Sequence, residues 1–254
     1  IGKYELAKHD YSELIRLSPK EAQTYSRRGD TYHNLKEYHL AEKDFAKAIS
    51  IEPKNPRYLI DRARTYLARG INDNALKDLN AAIGLDVKNS EAFYLRGTAY
   101  QAKNDFTNSF RDCSKAIELD ATLAAAYVCR GLAFEDRKET ESALKDYSMA
   151  IELDQTESLA YFNRAVLWVN SKDFEKALVD LRKYTQIEPK DVDGFLMQGY
   201  VFLEISDYAA ALRDLARAIE LDPKNVEAYV NRSVVYLRTE EFQKSIEDSS
   251  QAIR

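Results

Sequence analysis

The chain has 254 residues, 45% of them hydrophobic, with only eight glycines and five prolines, a balance that suits an all-helical protein with short turns and a continuous core. Its formal net charge of −5 argues against a phosphate-binding surface, which needs clustered lysine and arginine, so nucleic acid is not an expected partner. No apolar run approaches the roughly 20 residues of a membrane helix and no signal peptide opens the chain, so membrane insertion is not expected either.

The first segment, 1–21, is legible only through the pattern that begins at Ala22. There Ala22-x-x-Tyr25-x-x-Arg28-Gly29-x-x-Tyr32 returns as Ser90-x-x-Phe93-x-x-Arg96-Gly97-x-x-Tyr100 and as Ala124-x-x-Tyr127-x-x-Arg130-Gly131-x-x-Phe134. A second block, Ala41-x-x-Asp44-Phe45-x-x-Ala48-Ile49, returns as Ala143-x-x-Asp146-Tyr147-x-x-Ala150-Ile151. The period is 34 residues, the mark of stacked units that bind through extended surfaces. With places numbered 1 to 34 from Ala22, the full repeats are 22–55, 56–89, 90–123, 124–157, 158–191 and 192–225, and 226–254 is a truncated one. Ala7, Tyr11 and Pro19 then fall at places 20, 24 and 32, which makes 1–21 the second helix of a truncated repeat. All of these form one expected solenoid domain. With the first helix missing at one end, the last repeat five residues short at the other and no polar capping helix, the pattern implies a piece of a longer protein.

Each repeat carries two helical patterns joined by a short turn. Places 4, 8 and 11 share a face of the first helix, and places 20, 24 and 27 share a face of the second. A small residue at place 8 (Gly29, Ala63, Gly97, Gly131, Ala165, Gly199, Ser233) is expected to face the small residue at place 20 and let the two axes approach. Acidic residues precede most second helices (Glu37, Asp105, Glu139, Asp173, Asp207, Glu241), with Ile71 the exception, and are placed to cap them or complement the helix dipole. Pro53, Pro189 and Pro223 end second helices, and Asn55, Asn89 and Asn225 are placed to cap the first helix of the next repeat.

On these residues the chain resembles the tetratricopeptide repeat family. The repeat 22–55 matches the family signature throughout, with Tyr25, Gly29, Tyr32, Ala41, Phe45, Ala48 and Pro53 at places 4, 8, 11, 20, 24, 27 and 32. Departures are local: Cys113 and Ser249 at place 24, Tyr184 at place 27, Ser109 and Ser245 at place 20. The resemblance implies an all-α, right-handed superhelical solenoid of antiparallel helix pairs with a concave inner groove.

Place 23 is aspartate in every repeat, from Asp10 through Asp44, Asp78, Asp112, Asp146, Asp180 and Asp214 to Asp248. Place 7 is arginine except at Gln198. An element that recurs in every repeat belongs to the scaffold, so buried Arg–Asp pairs within a repeat or across one junction are expected in preference to a catalytic or anion site. Cys113 and Cys129 occupy unrelated places and read as small buried side chains, not as a disulfide or metal pair, which favours a reducing, cytoplasmic setting. His9, His33 and His39 form no ligand spacing. No metal or cofactor is expected, and no phosphate loop, nucleophile elbow or catalytic acid pair stands outside the repeat.

In the family the groove is lined from places 2, 5, 6, 9, 12 and 13. The early repeats put polar residues of mixed sign there: Gln23, Ser26, Arg27, Asp30, His33 and Asn34, then Arg57, Asp61 and Arg64 among Ile60, Leu67 and Ala68. The later repeats are apolar: Val128 and Leu132 (with Cys129), then Phe162, Val166 and Val169 (with Leu159), then Leu196, Met197, Tyr200 and Leu203, then Val230, Val234 and Leu237. Place 9 is usually asparagine in the family, whereas here it is Leu132, Val166, Tyr200 and Val234. An apolar stripe of this kind is expected to be covered, either by an amphipathic helix or apolar peptide of a partner or by other parts of the same protein or tight closure of the superhelix. The lysine and asparagine set with which chaperone-binding members hold a C-terminal carboxylate is missing. The expected function is therefore a non-enzymatic protein-interaction scaffold or adaptor. The alternatives are an array that recruits substrate to an enzyme domain elsewhere in the protein, and a module that self-assembles.

Overall fold

The computed structural model describes residues 2–253, among which there are fifteen α-helices and no strand. They gather into two compact units, Ile1–Lys138 and Glu139–Arg254. The first holds α1 (Gly2–Leu17), α2 (Ala22–Asn34), α3 (Tyr38–Ile51), α4 (Pro56–Ala68), α5 (Asn72–Leu85), α6 (Ser90–Gln101), α7 (Phe106–Leu119) and α8 (Ala124–Asp136). The second holds α9 (Thr140–Leu153), α10 (Ser158–Asn170), α11 (Phe174–Ile187), α12 (Val192–Glu204), α13 (Tyr208–Leu221), α14 (Val226–Arg238) and α15 (Phe242–Ile253). From Ala22 onward, first helices begin at place 1 and second helices at place 17 of each repeat.

The helix starts show which caps work. Asn55, Asn89 and Asn225 accept from the backbone N–H groups of Arg57, Ala92 and Ala228. Asp105, Asp173 and Asp207 accept from Asn108, Lys176 and Ala210, whereas Glu37 makes no such bond. The extra methylene of glutamate carries its carboxylate past the N–H that the shorter aspartate meets, leaving it the weaker, dipolar contribution. The turn between the helices of a repeat passes through the left-handed region at place 15, at Lys36, Gly70, Asn104, Lys138, Lys172, Ser206 and Glu240. Only Gly70 is free of the steric penalty that an L side chain meets there.

Between the paired helices the small residue at place 8 makes room for the side chain at place 24. A Cβ on Gly29 would meet the Phe45 ring at 2.8 Å, and one on Gly199 would meet Leu215 Cγ at 2.5 Å. One on Gly97 would run into the sulfur of Cys113. Phe45, Leu79, Cys113, Tyr147, Leu181 and Leu215, all at place 24, are fully buried. The large side chain needs the empty volume.

The Arg–Asp ladder forms as expected. Arg28–Asp44, Arg62–Asp78, Arg96–Asp112, Arg164–Asp180 and Arg232–Asp248 are bidentate pairs, with Nε and a terminal nitrogen donating to the two carboxylate oxygens over 2.6–2.9 Å. Arg28, Arg96 and Arg164 also reach the preceding repeat, where their remaining nitrogen donates to Ser12, Asn80 and Ser148 at place 25. The aromatic residues at places 4 and 11 flank the same guanidinium groups: Tyr25 and Tyr32 lie 6.0 and 5.7 Å from Arg28, and Tyr229 and Tyr236 lie 5.6 and 5.9 Å from Arg232. Hydrogen bonds to the aspartates hold Arg28, Arg62, Arg96 and Arg232 above their ordinary pKa. Where place 7 is Gln198 the ladder breaks: Asp214 turns to its exposed neighbour Arg213 at 3.1 Å, and burial pushes its carboxyl up. Asp10, next to His9, is solvent-exposed.

The expectation of two free cysteines is overturned, since Cys113 and Cys129 are joined as a disulfide with their Cα atoms 6.0 Å apart. That separation lies within the range that a disulfide spans. Stacking of α8 on α7 brings place 24 of one repeat against place 6 of the next, a juxtaposition that places counted within one repeat do not reveal. Both residues are buried, as expected. The cysteines consequently give no support for a reducing compartment. No helix among the described residues is long and apolar enough to cross a membrane.

Candidate partner-binding hollow

In the second unit the first helices α10, α12 and α14 lie side by side. Their places 2, 5, 6, 9, 12 and 13 enclose a cavity of about 380 Å³ lined by Phe162, Val169, Asn170, Asp193, Leu196, Met197, Tyr200 and Glu227. The floor is held by the core beneath it. Phe162, Val169, Leu196, Met197, Tyr200 and Leu203 pack against a buried cluster that includes Ala165, Leu181, Val201 and Leu215.

One departure from the family signature positions this floor. Tyr184 stands at place 27 where the other full repeats carry alanine, and its ring fills the space above Gly194, where a Cβ would meet it at 2.7 Å. Glycine at place 3 thus compensates for tyrosine at place 27 of the repeat before. The same ring packs against Phe162, centroid to centroid 4.9 Å. Burial, helped by Asp191, raises the Tyr184 phenol far above its ordinary range, so it stays neutral and presents a mainly apolar face to Phe162.

The structure brings together five of the twelve groove residues expected from the sequence: Phe162, Val169, Leu196, Met197 and Tyr200. Val230 and Leu237, 43% and 54% exposed, lie on α14 outside the cavity lining, while Val166, Leu203 and Val234 are half-buried. Leu132 is half-buried in the first unit, and Val128 is buried there at 5% exposure and offers a ligand no surface. Branched side chains at the expected groove places can therefore be taken up by neighbouring helices. Reading for apolar residues alone misses the polar lip, Asn170, Asp193 and Glu227, although places 2 and 13 belong to the groove register. The carboxylates of Asp193 and Glu227 sit in the first turns of α12 and α14 and form no ion pair among the described residues.

The corresponding face of the first unit is ionic. Asp61, fully buried, pairs with Arg57 at 3.0 Å and Arg64 at 3.3 Å, and Arg64 also engages Glu91. Asp30 lies near this network, and burial, reinforced by Asp61 and opposed by Arg57, Arg64 and Arg27, pushes its carboxyl up to about 6. The folded state then binds a proton more tightly than the unfolded chain. The resulting stability is fully present below the unfolded pKa near 3.9 and is lost as pH rises through about 6. Asp30→Asn should therefore stabilise the protein by about 1–2 kcal/mol at neutral pH after solvent screening, and leave it unchanged near pH 4. Urea titrations at the two pH values measure this.

Comparison with known proteins places the fold. Family models described as tetratricopeptide repeat match residues 22–55, 60–124 and 196–254. The chain belongs to the tetratricopeptide repeat family. No curated protein matches it in sequence. Among solved structures, the tetratricopeptide chain is similar to the anaphase-promoting complex hetero-tetramer Cut9–Hcn1 with a TM-score of 0.83 at 14% identity, over 92% of this chain and 46% of that one. It thus spans about half the length of that neighbour. It is similar to a tetratricopeptide repeat protein from Parabacteroides merdae with a TM-score of 0.68 at 18% identity, over 96% and 93% of the two chains. YrrB, described as having an unusual peptide-binding site, aligns with a TM-score of 0.51 at 20% identity, over 70% of this chain and 92% of that one. These likenesses show an all-α solenoid of antiparallel helix pairs, and tetratricopeptide repeats are a general protein-interaction scaffold.

Proposed function

We propose that the chain is a non-catalytic adaptor that recruits another protein by taking a peptide or helix of that partner into the hollow on α10, α12 and α14. The observation that carries this reading is the cavity of about 380 Å³ with its apolar floor of Phe162, Val169, Leu196, Met197 and Tyr200. Small concave sites lined by apolar side chains with a few polar groups are where proteins hold ligands. Apolar anchors set into a groove between helices are a recurrent mode of peptide recognition. A peptide-binding site is also what the description of YrrB names for that protein.

A photoreactive residue at position 197 should cross-link a partner in cells, and mass spectrometry should map the link to a short segment of it. Leu196→Ala, in the apolar floor, should weaken cross-linking, with the melting temperature read alongside to exclude unfolding. Cross-linking that occurs only between copies of the chain would favour self-assembly instead. None at all would remove the recruitment reading.

A further inference from the structure

Resting on that reading, we infer that the hollow selects a cationic segment of a partner protein: apolar anchors with lysine or arginine about one helical turn away. Two independent features converge on it. The floor is apolar, and the lip carries two carboxylates, Asp193 and Glu227, on adjacent first helices. Neither carboxylate is paired with a cation among the described residues, whereas the aspartates at place 23 of the same unit are engaged by arginines, as Asp180 is by Arg164 and Asp248 by Arg232. The remaining polar lining residue is Asn170, so no positive group lines the cavity. Glu204, at place 13 of α12, adds a third exposed carboxylate in the groove register.

The positive ends of α12 and α14 favour carboxylates in their first turns, which accounts for charge at these places but not for its coincidence with an apolar cavity. That coincidence sets the discrimination. A lysine or arginine beside an apolar anchor finds two uncompensated carboxylates at the lip, and a glutamate there is repelled by them. The first unit gives the contrast, because its acidic groove residues Asp61 and Glu91 are already held by Arg57 and Arg64.

The test uses the whole chain and three fluorescent helical peptides of about 15 residues, long enough for about four turns. They share leucine and phenylalanine on one face and carry lysine, glutamine or glutamate on the flanks. At low ionic strength the lysine peptide should bind about five- to tenfold more tightly than the glutamine peptide, and the glutamate peptide more weakly than either. Salt should shrink the gap. Asp193→Asn with Glu227→Gln should remove the preference for the lysine peptide over the glutamine peptide. Equal binding of all three peptides would overturn the charge selection and leave the apolar hollow standing as a peptide site. Tightest binding of the glutamate peptide would overturn it as well. Binding of none would remove the hollow as a peptide site and this inference with it. Displacement of bound peptide by raising the protein concentration, with a doubling of mass in sedimentation, would make a second copy the occupant and refute a cationic partner.

Discussion

Asp180→Ala lowers the stability of the chain by about 3–5 kcal/mol. Its carboxylate is 2% exposed and accepts from Arg164 Nε at 2.8 Å and a terminal nitrogen at 2.7 Å. Arg164 is itself only 20% exposed, and its third nitrogen donates to Ser148 of the preceding repeat at 2.9 Å. Removing the carboxylate strands a guanidinium that the fold holds out of bulk water, and the cost is mainly that of leaving a charge uncompensated, not the net worth of the pair. Asp10, at the same repeat place, is the internal control. It is 78% exposed, and Asp10→Ala should leave the melting temperature unchanged. Chemical denaturation of both variants decides the matter. A loss below about 1 kcal/mol for Asp180→Ala would show that solvent screens the pair.

Leu215→Ala should cost about 2–5 kcal/mol, because a fully buried leucine leaves a cavity that the stacked helices fill only in part. The geometry adds a sharper expectation. The Leu215 side chain occupies the space of the Cβ that Gly199 lacks. Gly199→Val alone should overpack that space and cost about 1–3 kcal/mol. In the Leu215→Ala background the valine has a cavity to enter, so the double variant should be more stable than the sum of the two losses predicts, by more than about 0.5 kcal/mol. Additive losses would mean that the two places do not share a volume. In the neighbouring repeat Ala165 already stands at place 8 with Leu181 at place 24, so some of the accommodation is achieved by small shifts of the leucine.

Much of this architecture is legible in residue order. An exact 34-residue spacing determines helix starts, since apolar places and caps recur in phase, and the Arg–Asp ladder forms because both partners recur together. Asn55, Asn89 and Asn225 cap as their position before a first helix implies. Sequence and structure part where a side chain's neighbour lies on another helix. The volume left open at place 8 is filled from place 24, so Gly29, Gly97 and Gly199 oppose Phe45, Cys113 and Leu215. The left-handed turn at place 15 has no sequence signal because six of its seven occupants are not glycine.

The amino-acid order by itself determined the family, the number and phase of the repeats, the scaffold role of the ion-pair ladder and the polar-to-apolar gradient along the first helices. Each of these is a local or periodic property, carried by which residues recur at which interval. Tertiary structure alone decided which members of the apolar column reach solvent, burying Val128 while leaving Phe162, Leu196, Met197 and Tyr200 at a hollow. It also decided that Cys113 meets Cys129, and that Asp193 and Glu227 edge the apolar floor. Those outcomes depend on how one helix pair is set against the next, and a distance between residues in neighbouring repeats has no counterpart in their separation along the chain.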